Sequence, residues 1–213
     1  MAYGSNLLRS RFLTYLRGGP VPGSGRIQHG ARDATDPIGD QPLAIELPLA
    51  FGRSVAGWGG AGVAFVDPAR RRPDATLGRA WLITAQQLTD VWAQENGGTE
   101  GPTLDVAALV RDGSAELARG WYRRLLTLGA LDGAPVVTLT CPELPALNAA
   151  GHGYLEVMGR GLMASWGLVA TEAAAYLADR DGNRGVIDAG ELVELLTAPA
   201  DPITGVSTRS DGP

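Results

Sequence analysis

The sequence predicts an α+β fold with short strands and several helices, and three observations carry that prediction. In WYRRLLTLGALDGAPVVTLTCP (121–142), two apolar runs flank Asp132-Gly133, the dipeptide of a two-residue hairpin turn. Residues 84–98 and 153–177 place apolar side chains at helical spacing. The 30 glycines and 14 prolines among 213 residues supply turns for many short elements.

Taken in order, Leu8, Phe12, Leu13, Tyr15 and Leu16 predict a helix over 7–16, with Ser5 or Asn6 to cap it and Gly18-Gly19-Pro20 to stop it. Residues 21–42 have no clear period and are expected to be loop. PLAIELPLAFGR (42–53), GAGVAFVDP (60–68) and GRAWLIT (78–84) follow as strands. TAQQLTDVWAQENGG (84–98) is the best-signalled helix. Thr84 and Gln87 form a capping box, Leu88, Val91 and Trp92 make one apolar face, and Asn96-Gly97-Gly98 ends it. A further helix is expected in 99–119, around TLDVAALVRDG or SAELARG. Beyond the hairpin, YLEVMGRGLMASWG, ATEAAAYLA and AGELVELL predict three helices, and 198–213 a flexible polar tail.

Composition narrows the function. A net charge of −5 and a pI near 5.0 argue against nucleic acid, because the basic run Arg70-Arg71-Arg72 sits in a Pro-containing turn. The single cysteine, Cys141, forms no internal disulfide and no thiolate cluster; before Pro142 it reads as a small buried hydrophobe. No apolar stretch reaches the roughly 20 residues that span a bilayer, and no leader pattern is present. A cytoplasmic protein without membrane partners is the expectation.

Several motifs weaken on inspection. GWGGAG has dinucleotide-loop spacing but precedes a strand rather than opening a helix. DRDGNRGVIDAGEL resembles a calcium loop through Asp179, Asp181, Asn183, Asp188 and Glu191. Its sixth position, however, is Arg184, and the glycine arrives one residue late, so a solvated turn is the better reading. No serine sits in a nucleophile elbow, and His29 and His152 lie apart in Gly-rich segments, too few for a metal site without carboxylates. Glu95 is different, because a carboxylate in the last helical turn faces the negative end of the helix dipole. Either it is a solvated side chain at a frayed end, or its position serves chemistry.

Three blocks bear on that choice: AYGSNLLRSRF (2–12), GWGGAGVAFV (57–66) with GRAWLITAQQLTDVWAQENGG (78–98), and GWYRRLLTLGALDGAPVVTLT (120–140). Their order and content over about residues 1–141 resemble the gamma-glutamylcyclotransferase-like family, of the gamma-glutamylamine cyclotransferase type. The resemblance implies a small mixed β-barrel with flanking helices, acting on a small-molecule gamma-glutamyl substrate to release 5-oxoproline and a free amine. It assigns Glu95 as general acid/base and Tyr3, Gly4, Ser5, Asn6 and Leu7 as the substrate-holding loop. Tyr122 becomes a pocket wall, and neither metal nor other cofactor is required. It also implies a division into a barrel domain, 1–145, with a helical insertion near 99–119, and a helical C-terminal extension, 146–197. A homodimer is compatible with it.

The chain departs from the family in three places. Only Met1 and Ala2 precede Tyr3 where relatives carry a strand, the insertion separates Glu95 from Tyr122, and the last 70 residues fall outside the shared region. The alternatives are a catalytically silent metabolite-binding protein, for which the short first segment speaks, and a pathway-specific acyl-transfer or cyclisation enzyme.

Overall fold

A computed structural model describes residues 1–21, 27–72 and 76–199; the predicted tail from residue 200 onward lies outside the described residues. A 3-10 turn, Ser5–Leu7, leads into α1 (Arg9–Arg17), followed by β1 (Gly19–Pro20), β2 (Ile27–Gln28), β3 (Gly39–Ile45), β4 (Leu49–Gly52), β5 (Val63–Val66) and β6 (Thr76–Leu82). Next come α2 (Ala85–Glu95), α3 (Val106–Asp112), β7 (Ser114–Glu116), β8 (Arg124–Leu131) and β9 (Ala134–Thr140). The helices α4 (His152–Trp166), α5 (Ala170–Ala178) and α6 (Ala189–Thr197) complete the described chain. The class is α+β. Among the described residues no helix is long and apolar enough to cross a membrane.

Local chemistry explains most boundaries. Gln87 N–H donates to Thr84 Oγ1 at 3.1 Å while Thr84 N–H donates to Gln87 Oε1 at 3.0 Å, so the capping box at the start of α2 forms as predicted. Asp132 (φ 50°) and Gly133 (φ 81°) both adopt the left-handed conformation that a type I′ turn between β8 and β9 requires. The helix expected in 99–119 is α3, within TLDVAALVRDG; Gly113 (φ 78°) ends it, and Ser114–Glu116 of SAELARG, the other alternative, pair with β8. One expectation is corrected. The 21–42 loop contains β2, and β3 begins at Gly39, extended by antiparallel pairing with Leu82 of β6.

The described strands form four separate sheets, ordered β1-β2, β3-β6, β4-β5 and β7-β8-β9, with no closed ladder among them. Side chains bridge where a closed barrel would have main-chain pairing. The Thr140 hydroxyl donates to the Val66 carbonyl (2.5 Å), and the Tyr122 hydroxyl to the Ala64 carbonyl (2.8 Å), so these β5 acceptors are already taken.

One buried cluster holds Tyr3, Leu7, Phe51 and Phe65 together with Leu155, Met158 and Leu162 of α4, Leu177 of α5 and Leu192 of α6. The C-terminal helices thus share the core of the strands. The contact of α4 with the 3-10 turn depends on Gly161, where a Cβ would stand 2.6 Å from Leu7 Cβ and 2.7 Å from the Leu8 nitrogen. Gly161→Ala is expected to lower stability. Overpacking costs about 1–3 kcal/mol, against about 1 kcal/mol gained in helix propensity. A urea midpoint that rises in this variant contradicts the close approach.

Candidate active site

The site is built around the end of α2, which is pinned rather than frayed. Trp92 is buried and its indole N–H donates to the Tyr122 carbonyl at 2.7 Å. Asn96, the residue capping the helix, donates to that carbonyl at 3.1 Å and accepts the Tyr122 N–H at 3.0 Å. One turn earlier the fully buried Asp90 accepts from the Arg32 guanidinium at 2.7 Å and from Gly101 N–H at 2.9 Å. That pairing offsets the cost of placing a carboxylate out of water and holds its pKa below the usual value despite burial.

Glu95 therefore projects from a fixed helix end. It is half-buried, lines a cavity of about 730 Å³, and its Oε1 accepts a hydrogen bond from Asn6 Nδ2 at 2.9 Å, across 89 residues of sequence. Glu95 is thus not an exposed side chain at a frayed end.

The loop opposite is held from both sides. Ala2 exchanges two 2.8 Å main-chain hydrogen bonds with Arg79 of β6, and the Met1 carbonyl accepts from Thr138 of β9 at 3.0 Å. The two residues before Tyr3 thus act as a short strap between β6 and β9, and the buried Tyr3 donates its hydroxyl to the Leu139 carbonyl at 2.6 Å. Tyr3, Gly4, Ser5 and Asn6 line the cavity. Gly4 has to be small, since a Cβ there would meet the Tyr154 hydroxyl at 2.9 Å.

The 3-10 turn consumes two donors, Leu7 N–H to Gly4 O at 3.0 Å and Leu8 N–H to Ser5 O at 3.2 Å. Among the described residues no hydrogen-bond acceptor takes the N–H of Gly4, Ser5 or Asn6.

Two sequence expectations change here. Leu7 does not line the cavity: it is fully buried in the core and its N–H is already paired. Neither Ser5 nor Asn6 caps α1, whose N-cap is Leu8 without a side-chain bond, because the 3-10 turn intervenes and the Asn6 amide reaches Glu95 instead. Tyr122 does line the cavity, its ring stacked on Phe65 at 4.8 Å, but its hydroxyl is committed to Ala64. Tyr154 of α4 accepts the N–H of the same Ala64 at 3.2 Å, so two tyrosines hold the two peptide groups that flank one residue of β5.

Sequence reasoning missed Arg11, Tyr15 and Tyr154. Arg11 and Tyr15 stand four apart, hence on one face of α1, which is the signal that was available. The Arg11 guanidinium donates to the Tyr15 hydroxyl at 3.1 Å and lies 4.8 Å over its ring.

Elsewhere Cys141 is buried, which pushes its thiol pKa up, and Arg184 pairs with both Asp179 and Asp181 at 3.0 Å in the segment that resembles a calcium loop. Asn183 is spent there on Ala150 N–H and the Leu177 carbonyl. Among the described residues no group of three or more His, Cys, Asp or Glu is placed to hold a metal ion.

Burial is the largest cause raising all five tyrosine pKa values. Tyr3, Tyr15 and Tyr122 lie well above the ordinary 10.0, Tyr154 is pushed up to about 12, and Tyr176 is raised. For Tyr15 the negative charge of Glu95 adds to burial and Arg11 opposes it. In the unfolded chain phenols titrate near 10, so the folded protein keeps protons there that the unfolded chain releases. This contribution to stability is complete below pH 10 and is lost as pH rises through the folded-state values. The phenolate absorbance of the native protein at pH 10 is expected to stay near its neutral level, rising only on unfolding. Half-ionisation of even one tyrosine at that pH contradicts the packing.

No family model matches the chain. It is similar to histone deacetylase 5 of Arabidopsis thaliana, with 32% identity over 195 residues covering 83% of this chain and 29% of that protein. The chain therefore spans less than a third of the length of that relative. Among solved structures, it is similar to a gamma-glutamyl cyclotransferase, with 17% identity, a TM-score of 0.45, and coverage of 91% of this chain and 95% of that one. An uncharacterized protein from Homo sapiens is similar at 15% identity and a TM-score of 0.44, with the same coverage of both chains.

Proposed function

We propose that the chain is a cyclising acyl-transfer enzyme that cleaves a gamma-glutamyl amide, with Glu95 as its general acid/base. The observation that carries this reading is the Asn6 to Glu95 hydrogen bond, which sets a carboxylate beside a loop with unpaired N–H groups in one cavity. The sequence blocks around both residues supply the substrate class by resemblance.

The reaction balances without water or a cofactor. The substrate's α-amine nitrogen bonds to its own γ-carbonyl carbon and closes a five-membered ring. The bond from that carbon to the leaving nitrogen then breaks, giving 5-oxoproline and a free amine. Glu95 takes the proton that the attacking amine loses and returns it to the leaving nitrogen. Holding the glutamyl chain folded makes the attack intramolecular, for which effective molarities reach about 10⁵ M or more.

The N–H groups of Gly4 and Asn6 are donors for the oxygen that becomes negative in the tetrahedral intermediate. Asn6 has a second task, holding the Glu95 carboxylate in line through its side chain. The leaving group faces the walls contributed by the inserted segment, where Leu104, Val106 and Leu109 border the cavity.

Glu95→Gln preserves size and the possibility of bonding Asn6 while removing the proton shuttle. Its kcat for 5-oxoproline release is expected to fall by about 100-fold or more with the thermal midpoint unchanged. A variant that keeps more than about a tenth of wild-type kcat contradicts the role, since that is less than about 1.4 kcal/mol of lost transition-state stabilisation.

A further inference from the structure

Arg11 is 6% exposed and lines the cavity, yet among the described residues no carboxylate lies within ion-pairing distance of it. Its partners are neutral: Nη1 donates to Thr14 Oγ1 at 3.2 Å and Nη2 to the Tyr15 hydroxyl at 3.1 Å. Among the described residues its buried Nε has no partner. A guanidinium removed from water without a counter-ion is costly, so an anion is the ligand that such a site favours.

A second buried atom in the same cavity is unpaired and of opposite kind. Among the described residues Asn6 Oδ1 is an acceptor with no donor, on the side chain whose other end holds Glu95. A cationic donor and a neutral acceptor, both waiting, match the two ends of an α-amino-acid head: a carboxylate for the guanidinium fork and an amine for the amide oxygen.

We infer that Arg11 anchors the α-carboxylate of the substrate, leaving its α-amine between Asn6 Oδ1 and Glu95. This rests on the glutamyl reading and deepens it. The anchor makes the enzyme selective for amides of a free α-amino acid and delivers the amine to the carboxylate that takes its proton. Tyr15, which accepts from Arg11, orients the guanidinium.

The test compares two substrates with one leaving amine, gamma-glutamyl-para-nitroanilide and its α-carboxamide counterpart, on wild type, Arg11→Gln and Arg11→Lys. Wild type is expected to prefer the free carboxylate by about 100-fold in kcat/KM. In Arg11→Gln that preference collapses, through a raised KM for the acid and little change for the carboxamide; Arg11→Lys retains part of it. Equal losses on both substrates, or an unchanged preference, overturn the anchor.

A titration independent of turnover uses L-glutamine and its α-carboxamide on Glu95→Gln and on the Glu95→Gln/Arg11→Gln double variant. Tighter binding of L-glutamine that disappears with Arg11 supports the anchor even where wild type releases no 5-oxoproline and the cyclisation reading has failed. Equal binding of the two compounds, or none, overturns the anchor even where turnover stands.

Discussion

The 2.9 Å hydrogen bond from Asn6 to Glu95 is the contact on which the candidate site depends. It joins a three-residue 3-10 turn to the end of an eleven-residue helix, two elements that have no reason of their own to meet. Much of the surrounding structure fixes one side of this contact or the other. On the helix side, Trp92 and Asn96 lock onto the backbone of Tyr122, and the capping box holds the far end. On the loop side, the Ala2 to Arg79 pairing and the Tyr3 hydroxyl do the same. A carboxylate held by its scaffold need not be reorganised when charge develops nearby, which is the basis of electrostatic preorganisation.

The C-terminal helices belong to this arrangement. Tyr154 from α4 reaches the Ala64 N–H and the Gly4 position, and Gly161 lets α4 press against Leu7. With Tyr122 on the Ala64 carbonyl, one residue of β5 ties the hairpin side and the α4 side of the cavity together. The cavity thus draws its walls from the N-terminal loop, the strands, α2, the hairpin and Tyr154 of α4.

The parts legible in the sequence were those set by local chemistry. The capping box at Thr84, the Asp132-Gly133 turn and the helical periodicities each need only neighbouring residues, and each appears as expected. Glu95 stood out because a carboxylate is electrostatically out of place at a helix C-terminus. Elements misread or left open had their conformation decided by distant partners. Ser114–Glu116 became a strand because β8 lies beside it, and Asn6 left its capping role because Glu95 accepts its amide. Leu7 went to the core because α4 arrives with a glycine. Arg11 was hidden for a related reason: an arginine on a helix reads as solvated until the fold shows that its side chain is buried without a counter-ion.

The most direct measurement is mass spectrometry of the purified protein with a panel of gamma-glutamyl amides in heavy-oxygen water. The expected result is 5-oxoproline and free amine in equal amounts, with no label in the 5-oxoproline, because the substrate's own nitrogen displaces the leaving group. Labelled glutamate, which requires attack by water, or the absence of any released amine across the panel, would contradict a cyclising site built on Asn6 and Glu95.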